Sequence, residues 1–258
     1  MTLTKRQGNS LDKKVAIITG VSCERGIGTA ICRKLASQGI HIFFTYFQST
    51  SEWPNSFREE LQGFGVSCDG LEIDLSLPYA ATTVLEGCAE KLGVPTILVN
   101  NAAYSTRDGY ASLDIETIDA HYAVNMRTGM LLCVEFVRHF ENASLQNGRI
   151  INMISGQDLG PMLEELAYVA TKGAMTAFTK SLSAEVAHLG ITVNAVNPGA
   201  TDSTWMNDEI RAHLLPKFPM GRIGQPEDAA NLIGFLASNE SEWITGQVIH
   251  SEGGFLRS

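Results

Sequence analysis

The sequence lacks an excess of positive charge. Its 258 residues carry 19 Lys and Arg against 28 Asp and Glu, which gives a formal net charge of −9. A protein that binds nucleic acid needs a basic face that displaces counterions from the phosphates. An anionic membrane surface or an acidic carrier protein also attracts positive charge. The charge balance therefore argues against all three as partners of the chain as a whole.

Long apolar runs and paired cysteines are also missing. No apolar run approaches the roughly 20 residues that a membrane helix needs, and the polar start, Met1 to Ser10, lacks the apolar core of a signal peptide. The five cysteines are scattered, with neither CxxC nor HxxxH spacing, so no disulfide framework or metal site is indicated. We expect a cytoplasmic protein without bound metal, in which residues 1–11 form a loose N-terminal arm.

Short apolar runs alternate along the chain with segments of helical spacing. Apolar residues make up 44% of the sequence, enough for a substantial core. The runs predict strands at 14–19, 40–46, 66–75, 96–100, 149–154, 192–196 and 247–250. The spacing predicts helices at 27–37 and near 79–92, 115–140, 165–189 and 226–238.

The nearly continuous apolar character of the strands indicates burial on both faces, which is typical of a parallel sheet. Alternating strands and helices form βαβ units with right-handed crossovers. We therefore predict an α/β fold: a single-domain, Rossmann-like, doubly wound parallel sheet of about seven strands over residues 12–258. The stretch 201–224 fits neither pattern, and near the end of such a sheet it predicts a substrate lid.

A glycine-rich turn separates the first strand from the first helix. Gly20, Gly26 and Gly28 lie in it. Glycines let the backbone approach a pyrophosphate closely, and a helix N-terminus supplies oriented N–H groups and positive potential. A glycine cluster alone is also typical of a plain tight turn. Its place between a buried strand and an amphipathic helix favours phosphate binding.

Tyr168 and Lys172 stand four residues apart at the start of a predicted helix. Positions i and i+4 share one helix face, so the phenol and the ammonium point the same way. A neighbouring ammonium favours the phenolate and is expected to lower the tyrosine pKa from its usual value of about 10. Tyr168 is therefore a candidate general acid and base, although such pairs are also common by chance.

Other segments stand in a familiar order around this pair. Ser155 lies thirteen residues before Tyr168, and Asn125 lies within the long helix predicted before it. Together with the glycine turn, with Asn100-Asn-Ala-Ala103, and with later segments at 197–201, 221–228 and 244–254, they make the chain resemble the short-chain dehydrogenase/reductase family over about residues 12 to 256. The resemblance implies oxidoreductase activity on a carbonyl or an alcohol with a nicotinamide cofactor.

The resemblance also implies roles for four catalytic residues. Tyr168 would act as the acid in carbonyl reduction and as the base in alcohol oxidation, with Lys172 and an oxidised nicotinamide lowering its pKa. Ser155 would hydrogen-bond the substrate oxygen. Asn125 would hold a water that links Lys172 to solvent, and an asparagine inside a helix-forming run is locally unfavourable, which fits a function there.

The resemblance implies cofactor contacts at several strand ends and at the start of the helix of Tyr168. The glycine turn is longer than usual, with five residues between Gly20 and Gly26 where the family has three. Asp74 would accept from the adenine amino group, or would cap the next helix, or both. The residues implied to contact the cofactor are Gly20, Ser22, Arg25, Gly26, Ile27, Gly28, Asp74, Leu75, Asn101, Ala102, Tyr168, Lys172, Pro198, Gly199 and Thr201.

The choice of nicotinamide depends on the end of the second strand. An acidic residue there accepts the ribose hydroxyls and selects NAD, but residues 43–48 read Phe-Phe-Thr-Tyr-Phe-Gln without a carboxylate. Arg25 precedes Gly26 instead, and an arginine fork suits a 2′-phosphate. We therefore expect NADP(H) rather than NAD(H).

The substrate stays open. The chain is most similar in general to 3-oxoacyl-carrier-protein reductases, notably at 221–228. The docking arginines of such enzymes are missing, since 141–148 contains no base and Ala184 stands at the second position. A small ketone or aldehyde, or another acyl thioester, is an equal alternative, and a non-catalytic NADP-sensing regulator is an alternative of another class. The family resemblance further implies a homo-oligomer, a tetramer or a dimer.

Overall fold

The computed structural model describes residues 14–50 and 52–257; the predicted arm at 1–11 lies outside them. The strands are β1 Val15–Ile18, β2 His41–Tyr46, β3 Cys68–Glu72, β4 Ile97–Asn100, β5 Gly148–Met153, β6 Ile191–Asn197 and β7 Val248–His250. The helices are α1 Ile27–Ser37, α2 Trp53–Gln62, α3 Ala80–Lys91, α4 Ile115–His121, α5 Gly129–Asn142, α6 Leu166–Val186, α7 Asp208–Leu214 and α8 Pro226–Leu236.

All pairings in the sheet are parallel, in the order β3-β2-β1-β4-β5-β6-β7. The order reverses between β1 and β4, and ligands of such sheets bind outside the carboxyl ends of the strands at this switch point. This confirms the predicted doubly wound α/β fold. It also brings the residues after β1, β4, β5 and β6 to one edge.

The sheet has a core on each face. Along β1, Ala16 and Ile18 pack on the side of α1, α2 and α8, while Val15 and Ile17 pack on the side of α3, α5 and α6. Successive side chains of a strand point to opposite faces. Two covered faces therefore explain why the strands read as continuous apolar runs.

The structure differs from the predicted elements at α2, at β3 and in the helix predicted at 115–140. Helix α2 was not predicted, although Trp53, Phe57 and Leu61 recur every four residues; Phe57 and Leu61 are buried, and Trp53 stacks on Phe57 at 4.8 Å between ring centroids. Strand β3 is shorter than the predicted 66–75. The helix predicted at 115–140 is interrupted, because a π-helical segment, Tyr122–Thr128, separates α4 from α5.

The segment 201–224 folds as a small unit beside the sheet. A backbone bridge joins Thr201 to Gly224 at its base. Inside it, Met206, Phe218 and Ile223 form their own buried cluster. Across the part of the chain described here, no helix has both the length and the hydropathy to span a bilayer.

Candidate active site

The glycine turn packs tightly against the end of β4. Gly20 has φ +74°, and a Cβ there would lie 2.6 Å from Cα of Ala102. A Cβ on Gly28 would lie 2.7 Å from Nδ2 of Asn101. That amide in turn donates to the carbonyl oxygens of Thr19 at 2.8 Å and Gly20 at 3.1 Å. Side chains are thus excluded from both positions, and the turn is held against Asn101 and Ala102.

The N-terminus of α1 is open to a ligand. Gly26 at its N-cap supplies no side-chain hydrogen bond, and the first turn, which begins with Ile27, contains no acidic residue. The first N–H groups of a helix have no partner within it and carry the positive end of its dipole. The turn and the helix start therefore fit the diphosphate of a dinucleotide.

The side chains of Ser22 and Arg25 in this turn contact different parts of the protein. The Ser22 hydroxyl accepts the N–H of Phe47, just after β2, at 3.1 Å. Arg25 is 64% exposed, and its guanidinium lies 3.9 Å from the Asp202 carboxylate. Asp202 already receives two hydrogen bonds from Arg211, at 2.9 and 3.0 Å. The Arg25 guanidinium thus lies beside the start of the 201–224 segment.

Asp74 and Leu75 follow β3. One carboxylate oxygen of Asp74 accepts the N–H of Ser76 at 2.8 Å, which closes a local turn. Because α3 begins at Ala80 with Tyr79 as its N-cap, the interpretation of Asp74 as a helix cap is wrong. Leu75 is buried, and its carbonyl accepts the Thr128 hydroxyl at 2.6 Å.

Pro198, Gly199 and Thr201 follow β6 at the same edge of the sheet. Gly199 has φ +66°, and a Cβ there would meet the side chain of Glu252 at 2.4 Å. The Thr201 hydroxyl is buried and donates to the carbonyl of Pro198 at 3.2 Å. These contacts fix the backbone of the segment after β6.

Lys172 lies about one turn after Tyr168 on α6. Its Nζ is 5.5 Å from the Tyr168 ring centroid and donates to the carbonyl of Met153, at the end of β5, at 2.8 Å. Lys172 is only 3% exposed. Burial lowers the pKa of its ammonium to about 8.

Burial also has the largest effect on the pKa of the Tyr168 phenol. Although part of the side chain remains accessible, its pKa is raised to about 12: desolvation is the main cause, a hydrogen bond with Ser155 opposes it, and the charge of Glu165 adds to the rise. The expected lowering of this pKa by the Lys172 ammonium is wrong, because the ammonium is directed at Met153 and desolvation outweighs the favourable contacts. The lowering expected from an oxidised nicotinamide stays a prediction.

Ser155 opens the loop after β5. Its N–H donates to the side chain of Gln157 at 3.2 Å, and Gln157 donates to the Thr176 hydroxyl on α6 at 3.0 Å. The loop is thereby tied to the helix that carries Tyr168. The structure thus brings Ser155, Tyr168 and Lys172 together, as the sequence predicts.

Asn125 lies in the π-helical segment and is 4% exposed. Its side chain accepts the N–H of Tyr104 at 2.7 Å and donates to the Tyr104 carbonyl at 2.8 Å and to the Thr171 hydroxyl at 3.1 Å. π-bulges are frequent at functional sites. Asn125 therefore links the segment after β4 to Thr171 on α6, the residue directly before Lys172.

The sequence reasoning missed Thr19. Its buried hydroxyl accepts the N–H groups of Asn101 and Ala102, both at 3.0 Å, and so joins the ends of β1 and β4. The only available signal was its place directly before Gly20. Among residues 14–50 and 52–257, no three His, Cys, Asp or Glu side chains form a group that could hold a metal ion.

Comparison with known proteins agrees with this arrangement. A family model described as enoyl-(acyl carrier protein) reductase matches residues 20–256. The chain is 64% identical over 245 residues to the uncharacterized oxidoreductase YjdA of Bacillus subtilis, covering 95% of this chain and 98% of that protein. It is 35% identical over 252 residues to the 3-oxoacyl-[acyl-carrier-protein] reductase FabG of Escherichia coli, covering 95% and 98%.

A solved structure extends the comparison to the fold. Acetoin dehydrogenase YohF from Salmonella typhimurium superimposes with a TM-score of 0.85 at 31% identity, covering 94% of this chain and 96% of that one. The matches cover nearly the whole chain and include the glycine turn, the strand ends and α6. The chain therefore belongs to the short-chain dehydrogenase/reductase family of oxidoreductases.

Proposed function

We propose that this protein interconverts a carbonyl and a secondary alcohol with NADP(H), and that Tyr168 is its general acid and base. The observation that carries the proposal is the cluster of Ser155, Tyr168 and Lys172 at the sheet edge that also holds the glycine turn. Without that placement, a Tyr and a Lys four residues apart would have no chemical meaning.

The proton chemistry follows from the side chains. A substrate carbonyl oxygen would accept hydrogen bonds from Ser155 and from the phenol of Tyr168. A bound nicotinamide supplies hydride chemistry at the carbonyl carbon. As negative charge develops on the oxygen, Tyr168 transfers its phenolic proton to it, which leaves an alcohol and a phenolate. In the oxidative direction, the phenolate takes the alcohol proton back.

Lys172 stabilises the phenolate after this transfer. With a pKa near 8, its ammonium is mostly charged at neutral pH. A cavity of about 10 Å³ lies beside it, lined among others by Thr19, Asn100 and Asn125. That volume is about what one water needs. We propose that a water there links Lys172 to solvent and restores the proton of Tyr168.

The residues at the sheet edge fit a dinucleotide. Gly20, Gly26, Ile27 and Gly28 would hold the diphosphate, Asn101 and Ala102 the adjoining ribose, and Pro198, Gly199 and Thr201 the nicotinamide. Asp74 and Leu75 would face the adenine. NADP(H) is supported by the end of β2, which lacks a carboxylate, and by Arg25, whose exposed guanidinium and loose 3.9 Å contact with Asp202 leave it free to reach a phosphate.

The substrate is proposed to be a small ketone or aldehyde, or an acyl thioester. Leu159 and Leu163 are exposed in the loop between Ser155 and α6, and Tyr104 is exposed where its backbone pairs with Asn125; all three offer apolar contacts to a substrate. The 201–224 unit is proposed as a lid over that site. A second candidate activity, 3-oxoacyl-[acyl-carrier-protein] reduction, is favoured by the 35% identity to FabG, whereas the absence of bases at 141–148 and at Ala184 disfavours carrier docking.

We further propose a cytoplasmic homo-oligomer, a tetramer or a dimer. Ile115, Ile118, Tyr122 and Leu131 expose apolar surface along α4, the π-helical segment and α5, and such surface commonly marks an interface. Light scattering coupled to gel filtration would give the mass in solution.

The decisive experiment follows NADPH oxidation with small ketones, aldehydes, acetoacetyl-CoA and an acetoacetyl carrier protein. Tyr168→Phe removes the transferable proton and is expected to lower kcat about 10²- to 10⁴-fold. Tyr79→Phe, on an exposed surface tyrosine, is the matched control and should keep wild-type activity. A Tyr168→Phe enzyme within twofold of wild type contradicts the mechanism. A wild type that binds NADPH but reduces nothing would favour the alternative of a non-catalytic NADP sensor.

A further inference from the structure

The segment after β4 touches α6 at two points. At its start, Tyr104 pairs with Asn125, which also donates to Thr171 on α6. At its end, Asp108 forms a parallel backbone bridge with Glu165, directly before α6. Asn101 and Ala102, at the head of the same segment, hold the glycine turn. One stretch of chain thus connects the cofactor side of the site to the start of the helix that carries Tyr168.

The first turn of α6 is capped from this segment. Glu165 at the N-cap position makes no side-chain capping bond, and the first turn contains no acidic residue. The N–H of Ala167, which a cap side chain ordinarily satisfies, donates to Oδ2 of Asp108 at 3.0 Å. A carboxylate at this end also interacts favourably with the helix dipole. The residue next to the capped N–H is Tyr168.

The backbone beside Asp108 strengthens the same connection. The N–H of Asp108 donates to the carbonyl of Glu164 at 2.8 Å. Glu164 has φ +59°, a left-handed conformation that is uncommon for a residue other than glycine and needs support from its surroundings. The Arg107 guanidinium lies 3.1 Å from the Glu165 carboxylate. The entry to α6 is therefore held by side-chain and main-chain contacts together.

Asp108 is an unusual cap because it is buried. It is 3% exposed, and its Oδ1 has no hydrogen-bond partner among the described residues. A buried polar atom without a partner costs roughly 1–3 kcal/mol of stability. Asp114 makes a similar bond on the exposed start of α4, accepting the N–H of Thr117 at 2.8 Å, without that cost. Helix stability alone therefore does not explain a carboxylate at position 108.

We infer that Asp108 is a positioning residue for Tyr168: its cap fixes the first turn of α6 against the Asn101–Ala102 segment, and so sets where the phenol stands relative to the cofactor side of the site. The inference rests on the proposed function of Tyr168. The hydrogen bond does the positioning, so an amide oxygen at the same place serves as well as a carboxylate, whereas a methyl group does not.

The test compares Asp108→Ala, Asp108→Asn and Asp114→Ala. Kinetics of NADPH oxidation are measured per NADPH-binding site, which corrects for unfolded protein. Asp108→Ala should lower kcat about 10- to 100-fold, as expected for a displaced catalytic group, with the Kd of NADPH within about twofold. Asp108→Asn should retain kcat within about threefold, because Asn caps as well as Asp. Asp114→Ala loses a comparable cap on a different helix, α4, and should keep wild-type kcat.

Hydrogen exchange of peptides covering 164–170 gives a readout that needs no activity. Exchange should be faster in Asp108→Ala and close to wild type in Asp108→Asn. Should Asp108→Ala fail to fold, Asp108→Ser takes its place. The serine hydroxyl is one bond nearer the backbone than the carboxylate oxygen, so it does not reach the N–H of Ala167, and the same loss is expected. The inference is overturned if Asp108→Ala keeps kcat within twofold, if Asp108→Asn loses as much as Asp108→Ala, or if Asp114→Ala loses the same share. A wild type without carbonyl reductase activity would refute the proposed function instead, and unchanged exchange in Asp108→Ala would separately refute the cap.

Discussion

The Glu165 carboxylate, three residues before Tyr168 at the start of α6, adds to the rise in the pKa of the Tyr168 phenol that burial mainly causes. The Ser155 hydroxyl acts on the same phenol in the opposite direction. A negatively charged group and a hydrogen-bond partner therefore shift the pKa of the group proposed to carry the proton in opposite directions.

Glu165→Gln is expected to move the pH dependence of activity to lower pH. Removing the carboxylate makes the phenolate less unfavourable, so the pKa of Tyr168 falls. Arg107, 3.1 Å from Glu165, then remains unbalanced and acts in the same direction. Alcohol oxidation, which uses the phenolate, should begin to rise at lower pH, and carbonyl reduction, which uses the phenol, should decline at lower pH. The measurement is kcat against pH in both directions.

The matched control for this change is Glu164→Gln. Glu164 is exposed, and its side chain is not among the groups that shift the Tyr168 pKa. Its profile should coincide with that of the wild type. A Glu165→Gln profile that stays in place, or moves to higher pH, would contradict the assignment.

Arg25→Ala is expected to weaken NADPH binding selectively. A hydrogen bond to a charged group contributes about 1.5–3 kcal/mol, so the Kd of NADPH should rise at least about tenfold, while that of NADH changes little. Fluorescence titration with both dinucleotides measures the two constants. Arg138→Ala is the control, because Arg138 is an exposed arginine on α5 that is paired with Glu135. Equal losses for both dinucleotides in Arg25→Ala, or tighter wild-type binding of NADH, would sink the NADP(H) assignment.

Gly156→Ala is expected to destabilise the loop after Ser155. A Cβ there would lie 2.5 Å from the Arg257 guanidinium, which Glu252 holds at 2.8 and 2.6 Å. Because the ion pair keeps Arg257 from yielding, the change should lower the free energy of unfolding by about 1–3 kcal/mol. Urea denaturation measures it.

The expected clash between a Cβ at position 156 and Arg257 can be tested by removing the arginine side chain. In an Arg257→Ala background, Gly156→Ala should cost clearly less, a non-additivity that a double-mutant cycle resolves. Gly173→Ala, where a Cβ meets nothing within 4 Å inside α6, should instead stabilise the protein by about 0.5–1 kcal/mol. Strictly additive costs at 156 and 257 would show that the two residues do not interact.

Much of the fold and the site could be predicted from local patterns. The run Val15–Ile18, the helical spacing of Ile27–Ser37 and the glycines between them determine a strand, a turn and a helix, because periodicity and turn chemistry act over a few residues. The order of Asn125, Ser155, Tyr168 and Lys172 indicated the family. Helix α2 also carried a readable signal, the four-residue recurrence of Trp53, Phe57 and Leu61, which was overlooked.

Only the tertiary structure decided how these residues act on one another. Tyr168 and Lys172 share a helix face by spacing alone, but their pKa values depend on how much water the surrounding elements remove, and this reversed the expected shift of the phenol. Arg25 lies beside Asp202, and the cap of α6 comes from Asp108; both partners come from distant parts of the chain. Sequence spacing specifies which groups are present on an element, whereas burial and contacts between elements set their charge and position, since these arise only when segments far apart in the chain are packed together.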